Sequence, residues 1–462
     1  MVPLFEDVSR LDAKCYEEFY MSEDLLMEHA ALGLKDAVLD EFQSVLIVSG
    51  AGNNGADGIA LSRLLGDKDV SLYLPFGTKS DMAKLQLQRA KSVGVKIVDS
   101  IDGEFDLIVD AIFGSGLSRE LNQDAIKLIE RLNKKKGFKL SCDIPSGIDL
   151  KGNPSPIAFI ADLTVTMGGY KEALFSDMAK DFVGEIKRAN LGVSNSLYED
   201  KSDTFLLEKS DLILPIRVKK NSHKGDFGHL CVVAGKMPGA GIISARAALA
   251  FGAGKVTVVE NEPYEIPYEL MQSSHLPSKI TAIAIGMGLG NRYDDEYLSG
   301  FLFQDEIAML IDADLFYNPI IKKVLQKKEN LVLTPHPREF VELLKITGIA
   351  DISIDELQKN RLRYVREFSS RYQNATLLLK GANVIISQKE KIFINPHGTN
   401  VLSKGGSGDV LSGMISALLA QGYSALDSAI NGSLAHSLAG ASYSKNNYSL
   451  TPLDLIEAIK SI

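Results

Sequence analysis

Short apolar runs alternate along this chain with longer segments that have the periodicity of helices. In the first half the apolar runs are Ser44–Ser49, Val70–Pro75, Asp106–Phe113 and Lys139–Ile144. Strands that alternate with helices usually pair in parallel, because each helix carries the chain back across the sheet. The alternation therefore predicts a parallel sheet covered by crossover helices.

The same alternation starts again near residue 229, after the polar segment Asn195–Asp203. Candidate helices include Gly241–Phe251 and Val410–Gln421, and the strand-like runs are His229–Ala234, Lys255–Glu260, Ala282–Gly286, Met309–Asp312, Asn330–Thr334, Thr376–Lys380 and Asn383–Ser387. The 462 residues also exceed the ~250–300 at which a single core stops growing. We therefore predict two α/β domains, residues 1–205 and 206–462.

Composition excludes several classes of protein. The formal net charge of −9 disfavours nucleic acid, whose recognition depends on lysine and arginine. No window reaches the ~18 uninterrupted apolar residues of a membrane span, and no secretory signal is apparent at the amino terminus. The odd number of cysteines, Cys15, Cys142 and Cys231, indicates reduced thiols rather than a disulfide framework. We expect a soluble, cytoplasmic protein without a nucleic-acid or membrane partner.

A glycine-rich segment follows the first apolar strand. Gly50, Gly52 and Gly55 precede the helical stretch Ile59–Leu65, and the polar loop Asn53–Asp57 lies among them. Such a turn lets the backbone approach a phosphate at a helix start. A dinucleotide oxidoreductase would also carry an acid at the end of the next strand, which instead ends in Leu-Pro-Phe at 74–76. The segment predicts a dinucleotide ligand but disfavours a dehydrogenase.

Two further strand ends carry acidic residues. Asp110 lies in the segment Val109–Leu117, and Asp143 lies in the segment Cys142–Asp149. Ligands of open α/β sheets bind beyond the carboxyl ends of the strands, so these segments are expected to meet the glycine loop. In the alternative interpretation the two aspartates only cap the ends of their strands.

Together these three segments resemble the NAD(P)H-hydrate epimerase family over about the first 200 residues. The loop departs from the family's usual form at Ala51, where proline is common, and at Ala56, where glycine is common. The resemblance implies a Rossmann-like three-layer α/β/α domain. It also implies that the hydrated dinucleotide is lined by Asn53, Asn54, Gly55, Ala56, Asp57, Gly114, Ser115, Gly116, Leu117, Ser118, Arg119, Glu120 and Asp143.

The resemblance further assigns a potassium ion to Asn54, Asp110 and Ser146, whose oxygens suit a hard cation. Asp143 is the candidate acid/base residue. In the hydrate, the ring nitrogen can assist loss of the C6 hydroxyl, and water can return to either face of the planar centre. A positioned carboxylate could protonate the departing oxygen and deprotonate the returning water.

The carboxyl-terminal half contains the strongest motif, residues 398–414. Gly405, Gly406 and Gly408 open directly into an apolar helix, so several N–H groups and the helix dipole can face an anion. Asp409 follows at the helix start, where a carboxylate would repel a phosphate. Its position suits a base that removes the proton from a hydroxyl attacking a phosphoryl group. The alternative is a simple helix cap with a flexible glycine turn.

Other segments accompany this motif, and together they resemble the ADP-dependent NAD(P)H-hydrate dehydratases, a ribokinase-like family, over about 206–462. These segments are 224–229, 237–240, 286–290, 334–339 and 380–384. The family's Pro-Gly-Glu appears here as Pro-Arg-Glu at 337–339, and a packed or solvated His336 is the alternative to a binding residue. The resemblance assigns the hydrate to Ala240, Gly288, His336 and Asp409. It assigns the adenine nucleotide, bound with Mg²⁺, to Lys380, Gly381, Ala382, Asn383, Val384 and Gly408.

The two resemblances imply repair of hydrated NADH and NADPH. The first domain would interconvert the R and S hydrates, NADHX and NADPHX, and the second would dehydrate the S form with ADP, giving NAD(P)H, AMP and phosphate. Phosphate is a better leaving group than hydroxide, which explains why a kinase-like site serves a dehydratase. We also expect a homo-oligomer. The competing interpretation is a ribokinase-like kinase for a small metabolite, fused to a non-catalytic dinucleotide-binding module.

Overall fold

The computed structural model of the chain describes residues 1–116, 120–260, 265–290 and 293–462. It divides into two compact units. Residues 3–202 form the first unit, and residues 203–462 with residues 1 and 2 form the second. The three cysteines are free and buried.

The first unit contains both strands and helices. Its strands are β1 (Val2–Phe5), β2 (Ser44–Ser49), β3 (Asp69–Tyr73), β4 (Lys96–Val98), β5 (Leu107–Ala111), β6 (Phe138–Cys142), β7 (Leu163–Met167), β8 (Tyr170–Lys171) and β9 (Glu185–Ala189). Its helices are α1 (Ser9–Glu17), α2 (Glu23–Lys35), α3 (Asn53–Leu64), α4 (Asp81–Ser92), α5 (Gln123–Lys134), α6 (Lys180–Val183) and α7 (Asn195–Tyr198), with a 3₁₀ turn at Glu172–Phe175.

The main sheet of this unit is parallel. Its described strands pair in the order β4-β3-β2-β5-β6-β7-β9. Along β2, Val45 and Ile47 pack in a core with α2, α3 and α4, whereas Leu46 and Val48 pack in a second core with α5. The predicted Rossmann-like three-layer arrangement is therefore confirmed, with the strand order reversing between β2 and β5.

The glycine-rich segment differs from its prediction. Helix α3 begins at Asn53, directly after the N-cap residue Gly52, so the predicted loop Asn53–Asp57 forms the first turn of the helix. A Cβ at Gly55 would collide with the backbone of Gly50, which explains the tight turn from β2 into the helix. The polar residues are thus presented by a helix start and not by a free loop.

The second unit is also built from strands and helices. Its strands are β10 (Thr204–Leu206), β11 (His229–Val233), β12 (Lys255–Val259), β13 (Met271–Ser273), β14 (Ala282–Ile285), β15 (Ala308–Ile311), β16 (Leu331–Leu333), β17 (Ala375–Leu379), β18 (Val384–Gln388) and β19 (Lys391–Asn395). Its helices are α8 (Pro238–Ala250), α9 (Asp295–Leu302), α10 (Ile320–Lys327), α11 (Pro337–Thr347), α12 (Ile354–Lys359), α13 (Arg361–Arg371), α14 (Ser407–Ala420), α15 (Ala425–Ala441) and α16 (Pro452–Ile459). Shorter 3₁₀ turns lie at Lys209–Asp211, Lys224–Phe227, Ala313–Tyr317 and Asn400–Leu402.

The strands of the second unit pair in the order β13-β12-β11-β14-β15-β16-β17-β18-β19-β10. Strand β18 is antiparallel to both of its neighbours, and the other pairs are parallel. One face of this sheet packs against α8, α14, α15 and α16. The α/β class predicted for both halves of the chain is confirmed.

Helix α14 runs through the interior of this core. Every residue from Val410 to Ala420 is buried, and the helix begins at Ser407, three residues before its predicted start. Its N-cap Gly406 has φ +89°, a left-handed conformation that favours glycine. Among the described residues, no helix is both long and apolar enough to cross a membrane.

Candidate active sites

A cavity of about 700 Å³ lies in the first unit, at the carboxyl ends of β2, β5, β6 and β7. This is where the strand order reverses, the usual ligand site of an open α/β sheet. Most of its lining comes from the predicted segments. The lining residues are Val8, Asp12, Ala51, Gly52, Asn53, Asn54, Asp57, Phe76, Lys79, Ile112, Phe113, Gly114, Ser115, Gly116, Asn122, Asp143, Met167 and Lys171.

Asp143 stands directly after β6 with φ +69°, a conformation uncommon for residues other than glycine. Its Oδ1 accepts hydrogen bonds from Lys171 Nζ at 2.6 Å, Thr166 Oγ1 at 3.3 Å and Met167 N at 3.2 Å. Its Oδ2 accepts one from Ser115 N at 3.2 Å. Burial alone would raise the pKa of Asp143, but the Lys171 ammonium and these hydrogen bonds hold it below its ordinary value.

Two further carboxylates line the same cavity. Burial raises the pKa of Asp57 well above its ordinary value, and the negative charges of Asp143 and Asp12 act in the same direction. Burial also raises the pKa of Asp12, although Tyr198 Oη donates a hydrogen bond of 2.7 Å to its Oδ1. The cavity therefore contains carboxyl groups of different proton affinity, a pattern that occurs at acid/base sites.

Two of the three residues predicted to hold potassium, Asp110 and Ser146, are in direct contact. Ser146 donates to both oxygens of Asp110, from its Oγ to Oδ1 at 2.6 Å and from its N to Oδ2 at 2.8 Å. Burial raises the pKa of Asp110 to about 6, against the effect of these bonds. Both amide atoms of Asn54 are buried without a hydrogen-bond partner among the described residues. An unpaired amide oxygen suits an oxygen-coordinated cation, so this set of residues fits the ion.

The other predicted hydrate-binding residues have different positions. Gly114, Ser115 and Gly116 line the cavity, and a Cβ at Gly114 would come within 3.0 Å of Asn54 Oδ1 and 3.2 Å of Asp143 Oδ2. Gly55 and Ala56 are buried inside α3, and Glu120 is exposed. Leu117, Ser118 and Arg119 lie outside the described residues.

A second group of polar side chains lies in the second unit, where β15, β17 and α14 meet. Lys380 Nζ donates to Asp312 Oδ1 at 2.7 Å, and Ser412 Oγ donates to Asp312 Oδ2 at 2.6 Å. Asp312 is 2% exposed, so this pairing holds the lysine beside the start of α14. A Cβ at Gly408 would lie 3.6 Å from Lys380 Nζ, which brings together two of the residues predicted to bind the nucleotide.

Asp409 lies in the first turn of α14, beside this pair. Burial raises the pKa of Asp409 to about 7, and the negative charge of Asp312 adds to the shift while Lys380 opposes it. The start of α14 is held by His436, whose Nε2 donates to the carbonyl oxygen of Ser407 at 3.0 Å. Burial lowers the pKa of His436 to about 4. Asp409 is thus poised to exchange a proton near neutral pH.

His336 has a structural role in addition to the binding role predicted for it. It is the N-cap of α11, where its Nδ1 accepts from Arg338 N at 3.1 Å and Glu339 N at 3.2 Å. Its Nε2 lies 3.1 Å from Glu339 Oε1, and burial raises the pKa of Glu339 to about 7. Burial, with the positive charge of Lys380, lowers the pKa of His336. Its side chain is still 46% exposed, so it remains accessible to a ligand.

The remaining predicted residues of this unit form two local arrangements. Ala240 and Gly288 are neighbours, because a Cβ at Gly288 would lie 3.1 Å from that of Ala240. The turn 380–384 is held by the buried Arg361, whose guanidinium donates to the carbonyl oxygens of Lys380 at 3.0 Å and Asn383 at 3.2 Å. Both arrangements are fixed by the backbone and by buried contacts.

Sequence reasoning missed several residues of the two sites. Lys171 and Asp12 line the first cavity, and Asp312 and Glu339 lie in the second site, yet none was predicted to act there. Asp312 could have been found, because it is an acid at the end of an apolar strand, as Asp110 is. Lys171 comes shortly after the buried strand β7 and two glycines, a pattern that only weakly indicates a site residue.

Comparison with known proteins identifies each half of the chain. A family model described as NAD(P)H-hydrate dehydratase matches residues 230–461, and one described as YjeF-related protein N-terminus matches residues 23–173. Two solved structures also resemble the second unit. A ribokinase-like superfamily protein from Enterococcus faecalis V583 is 23% identical, with a TM-score of 0.49 over 57% of this chain and 96% of its own. The ADP/ATP-dependent NAD(P)H-hydrate dehydratase from Bacillus subtilis, co-crystallised with ATP and Mg²⁺, is 28% identical, with a TM-score of 0.45 over 54% of this chain and 92% of its own.

The full-length relatives carry both halves. The bifunctional NAD(P)H-hydrate repair enzyme of Helicobacter pylori is 46% identical over 477 aligned residues, covering 100% of both chains. That of Dictyoglomus turgidum is 32% identical and covers 98% of this chain and 96% of its own. The chain therefore belongs to the family of bifunctional NAD(P)H-hydrate repair enzymes.

Proposed function

We propose that this chain repairs hydrated NADH and NADPH with two separate active sites. The observation that carries the proposal is that each unit places an aspartate under the charge of a lysine, Asp143 with Lys171 and Asp409 with Lys380, at a predicted ligand site. Each unit also matches the family model for one half of a repair enzyme. The competing kinase interpretation lacks such support, because the full-length relatives are named for hydrate repair.

In the first unit the proposed reaction is epimerisation at C6 of the hydrate. The ring nitrogen supplies electrons as the C6 hydroxyl leaves with a proton, and water returns to either face of the planar cation. Asp143 lies in the cavity, where its protonated form can give the departing hydroxyl this proton and the resulting carboxylate can take a proton back from the returning water. Gly114 leaves room for the ligand beside the carboxylate.

Potassium is proposed to bind between Asn54, Asp110 and Ser146. The support is the buried amide of Asn54, which has no hydrogen-bond partner among the described residues, and the contact between the Asp110 carboxylate and the Ser146 hydroxyl group. When bound, the ion would supply positive charge next to the hydrate. Replacing potassium by sodium is expected to slow epimerisation, and Asp110→Asn should remove this difference between the two ions. An unchanged ion dependence in Asp110→Asn would show that the ion site is wrongly assigned.

In the second unit the proposed reaction is dehydration of the S hydrate with ADP. Asp409 accepts the proton of the C6 hydroxyl as this oxygen takes the β-phosphoryl group of ADP, which releases AMP. The ring nitrogen then expels phosphate, and loss of a C5 proton restores the dihydropyridine. Residues 380–384 and Gly408 are proposed to hold the nucleotide. Mg²⁺ would neutralise its phosphates, and the nucleotide itself would carry the ion.

The proposal is tested by incubating a mixture of both hydrate epimers with ADP and Mg²⁺. Absorbance of the reduced nicotinamide reports the recovered product. Complete recovery is expected, because the R epimer is converted as the S epimer is consumed. Recovery that stops when the S epimer is exhausted would contradict the epimerase. If neither reduced nicotinamide nor phosphate is formed, the dehydratase is contradicted.

The proposed division of labour between the units is tested by separate expression. The predicted boundary at 205/206 would cut strand β10, so the chain is divided after residue 202. Residues 203–462 are expected to retain dehydration, and residues 1–202 are expected to retain epimerisation, because each unit has its own core and its own site. Each fragment is compared with the full chain in the same assay. A soluble, folded fragment without its activity would show that the two sites are not independent.

A further inference from the structure

Lys171 is a buried lysine in the first cavity to which neither the predictions nor the family comparisons assign a role. Its side chain is 1% exposed. The ammonium has three protons and makes three hydrogen bonds, to Asp143 Oδ1 at 2.6 Å, Thr166 Oγ1 at 3.0 Å and Met167 O at 3.2 Å. A lysine whose donors are all used inside the protein holds its partners in place and is not free to follow a ligand.

The two oxygens of Asp143 are thereby made different. Oδ1 accepts hydrogen bonds from Lys171, Thr166 and the backbone N–H of Met167. These three donors occupy the positions from which another donor could approach this oxygen. Oδ2 accepts only from Ser115 N among the described residues. Gly114 has no side chain to cover Oδ2, since a Cβ there would come within 3.2 Å of this oxygen. Oδ2 is thus the oxygen left with capacity to accept a proton.

Charge also separates Asp143 from its neighbours. Lys171 from β8 contacts it, Asp57 from α3 and Asp12 from α1 line the same cavity, and so does the exposed Lys79. The ammonium makes its ion pair with Asp143, whereas Asp12 has the hydroxyl of Tyr198 as its partner. The cation in direct contact with a carboxylate favours ionisation of that carboxylate.

We propose that Lys171 is a positioning residue that occupies Oδ1 of Asp143 and leaves Oδ2 as the oxygen that exchanges the proton with the hydrate. This inference rests on the proposed epimerase function. It assigns a task to the lysine and separate tasks to the two oxygens of one carboxylate. The lysine acts through Asp143 and does not itself need to touch the substrate.

The experiment compares Lys171→Met and Lys171→Arg in the full-length protein, with epimerisation followed as kcat and KM over pH. In Lys171→Met, kcat is expected to fall by about 10²-fold or more, with KM little changed. The acid limb of its pH profile should move to higher pH, because burial of Asp143 is no longer offset by the ammonium. Lys171→Arg keeps the charge and should restore part of kcat and the position of the acid limb.

The matched control is Lys79→Met, because Lys79 is an exposed lysine that lines the same cavity. Loss of that charge is expected to act on KM and to leave the acid limb in place. Dehydration by the second unit provides an internal standard for protein concentration. A folded Lys171→Met protein with the parental kcat, or with an unmoved acid limb, would overturn the proposal.

A second measurement does not depend on folding of the lysine variants. In protein labelled with ¹³C at the aspartate carboxyl groups, the signal that disappears in Asp143→Asn is expected to titrate below the signals assigned by Asp57→Asn and Asp12→Asn. The reverse order would also overturn the proposal. If the parental protein shows no epimerisation but the expected titration order, the proposed function fails and the positioning of Asp143 does not.

Discussion

Both sites contain a lysine–aspartate pair. In the first site the paired aspartate is the acid/base candidate, and in the second site it is a neighbour of the candidate. In the first unit Lys171 Nζ lies 2.6 Å from Asp143, the acid/base candidate itself. In the second unit Lys380 Nζ lies 2.7 Å from Asp312, a neighbour of the candidate Asp409. The first arrangement lowers the pKa of the candidate, whereas the second leaves the pKa of Asp409 at about 7. Burial raises the proton affinity of both candidates, and it is offset only where the lysine is paired with the candidate itself.

This difference suits the two proposed reactions. A carboxylate that must be ionised when water returns is helped by a permanent positive neighbour. A base that removes a hydroxyl proton during phosphoryl transfer works best when its pKa is close to the working pH. Asp409 reaches that range because burial and the negative charge of Asp312 together outweigh the positive charge of Lys380.

The largest expected effect separates the two candidates. Asp409→Asn should lower ADP-dependent dehydration by about 10²–10⁴-fold, because an amide cannot accept the hydroxyl proton. Nucleotide binding through the glycine turn and epimerisation should remain near parental values. Asp143→Asn should show the opposite pattern and still consume the S hydrate.

Mixing the two variants is expected to restore full repair, since each supplies the site that the other lacks. Absorbance of the reduced nicotinamide is measured with each variant alone and with the mixture. Two folded variants that do not complement each other would contradict independent sites.

A smaller effect concerns acid stability, because the second site is anchored by a buried neutral histidine. The pKa of His436 is about 4 when folded, so the unfolded chain binds the extra proton as pH falls from about 6.5 to about 4. Stability is present above this window and is lost within it, by up to about 3 kcal/mol. The lowered pKa of Asp143 also gives stability that is lost on acidification, but only below the ordinary range of aspartate.

Urea unfolding of the parental protein and His436→Asn at both ends of that window measures this contribution. The parental protein should lose more stability on acidification than the variant. His275→Asn, at an exposed position, is the control and should behave as the parental protein. Equal losses in all three proteins would show that His436 does not titrate as expected.

The next effect is a contrast between the two pH profiles. Dehydration should rise by about tenfold between about pH 6 and pH 8, as Asp409 loses its proton. Epimerisation should not rise over the same range, because Lys171 and the hydrogen bonds hold the pKa of Asp143 below its ordinary value. Each activity is measured with saturating substrate. If both activities changed equally with pH, the proposed difference between the two lysine–aspartate pairs would be wrong.

The smallest expected effect comes from a substitution that lowers the pKa of the candidate base in the second site, as the lysine does in the first site. Asp312→Asn removes a charge that raises the pKa of Asp409 and releases Lys380 from its partner. The acid limb of dehydration should then move to lower pH, opposite to the shift expected for Lys171→Met. Asp314→Asn is the matched control and should give a smaller shift in the same direction, since Asp314 has the weaker influence. An unmoved limb in Asp312→Asn would contradict the electrostatic account.

The sequence predicted the strands and the acidic strand ends well, because their signals are local. Strand β2 has its predicted bounds, and Asp143 lies at the cavity where parallel strands end. It did not reveal that Lys171 pairs with Asp143, 28 positions away, or that Lys380 pairs with Asp312, 68 positions away. Such pairs are made by tertiary packing, and lysine is rarely buried, so neither residue type nor spacing indicates them. The start of α3 was also missed, since glycine and asparagine usually suggest a loop.

The left-handed backbone of Asp143 restricts how this position can change during evolution. Glycine would relieve the unfavourable conformation, which costs most residues about 1–2 kcal/mol. It would also leave the buried Lys171 without its counterion. An unpaired buried charge costs about 3–5 kcal/mol, which is more than the cost of the backbone conformation. Asparagine tolerates the conformation but cannot balance the charge. Neither glycine nor asparagine can therefore replace Asp143 without loss while Lys171 remains, and a tolerated change to either residue would have to be accompanied by a change at position 171.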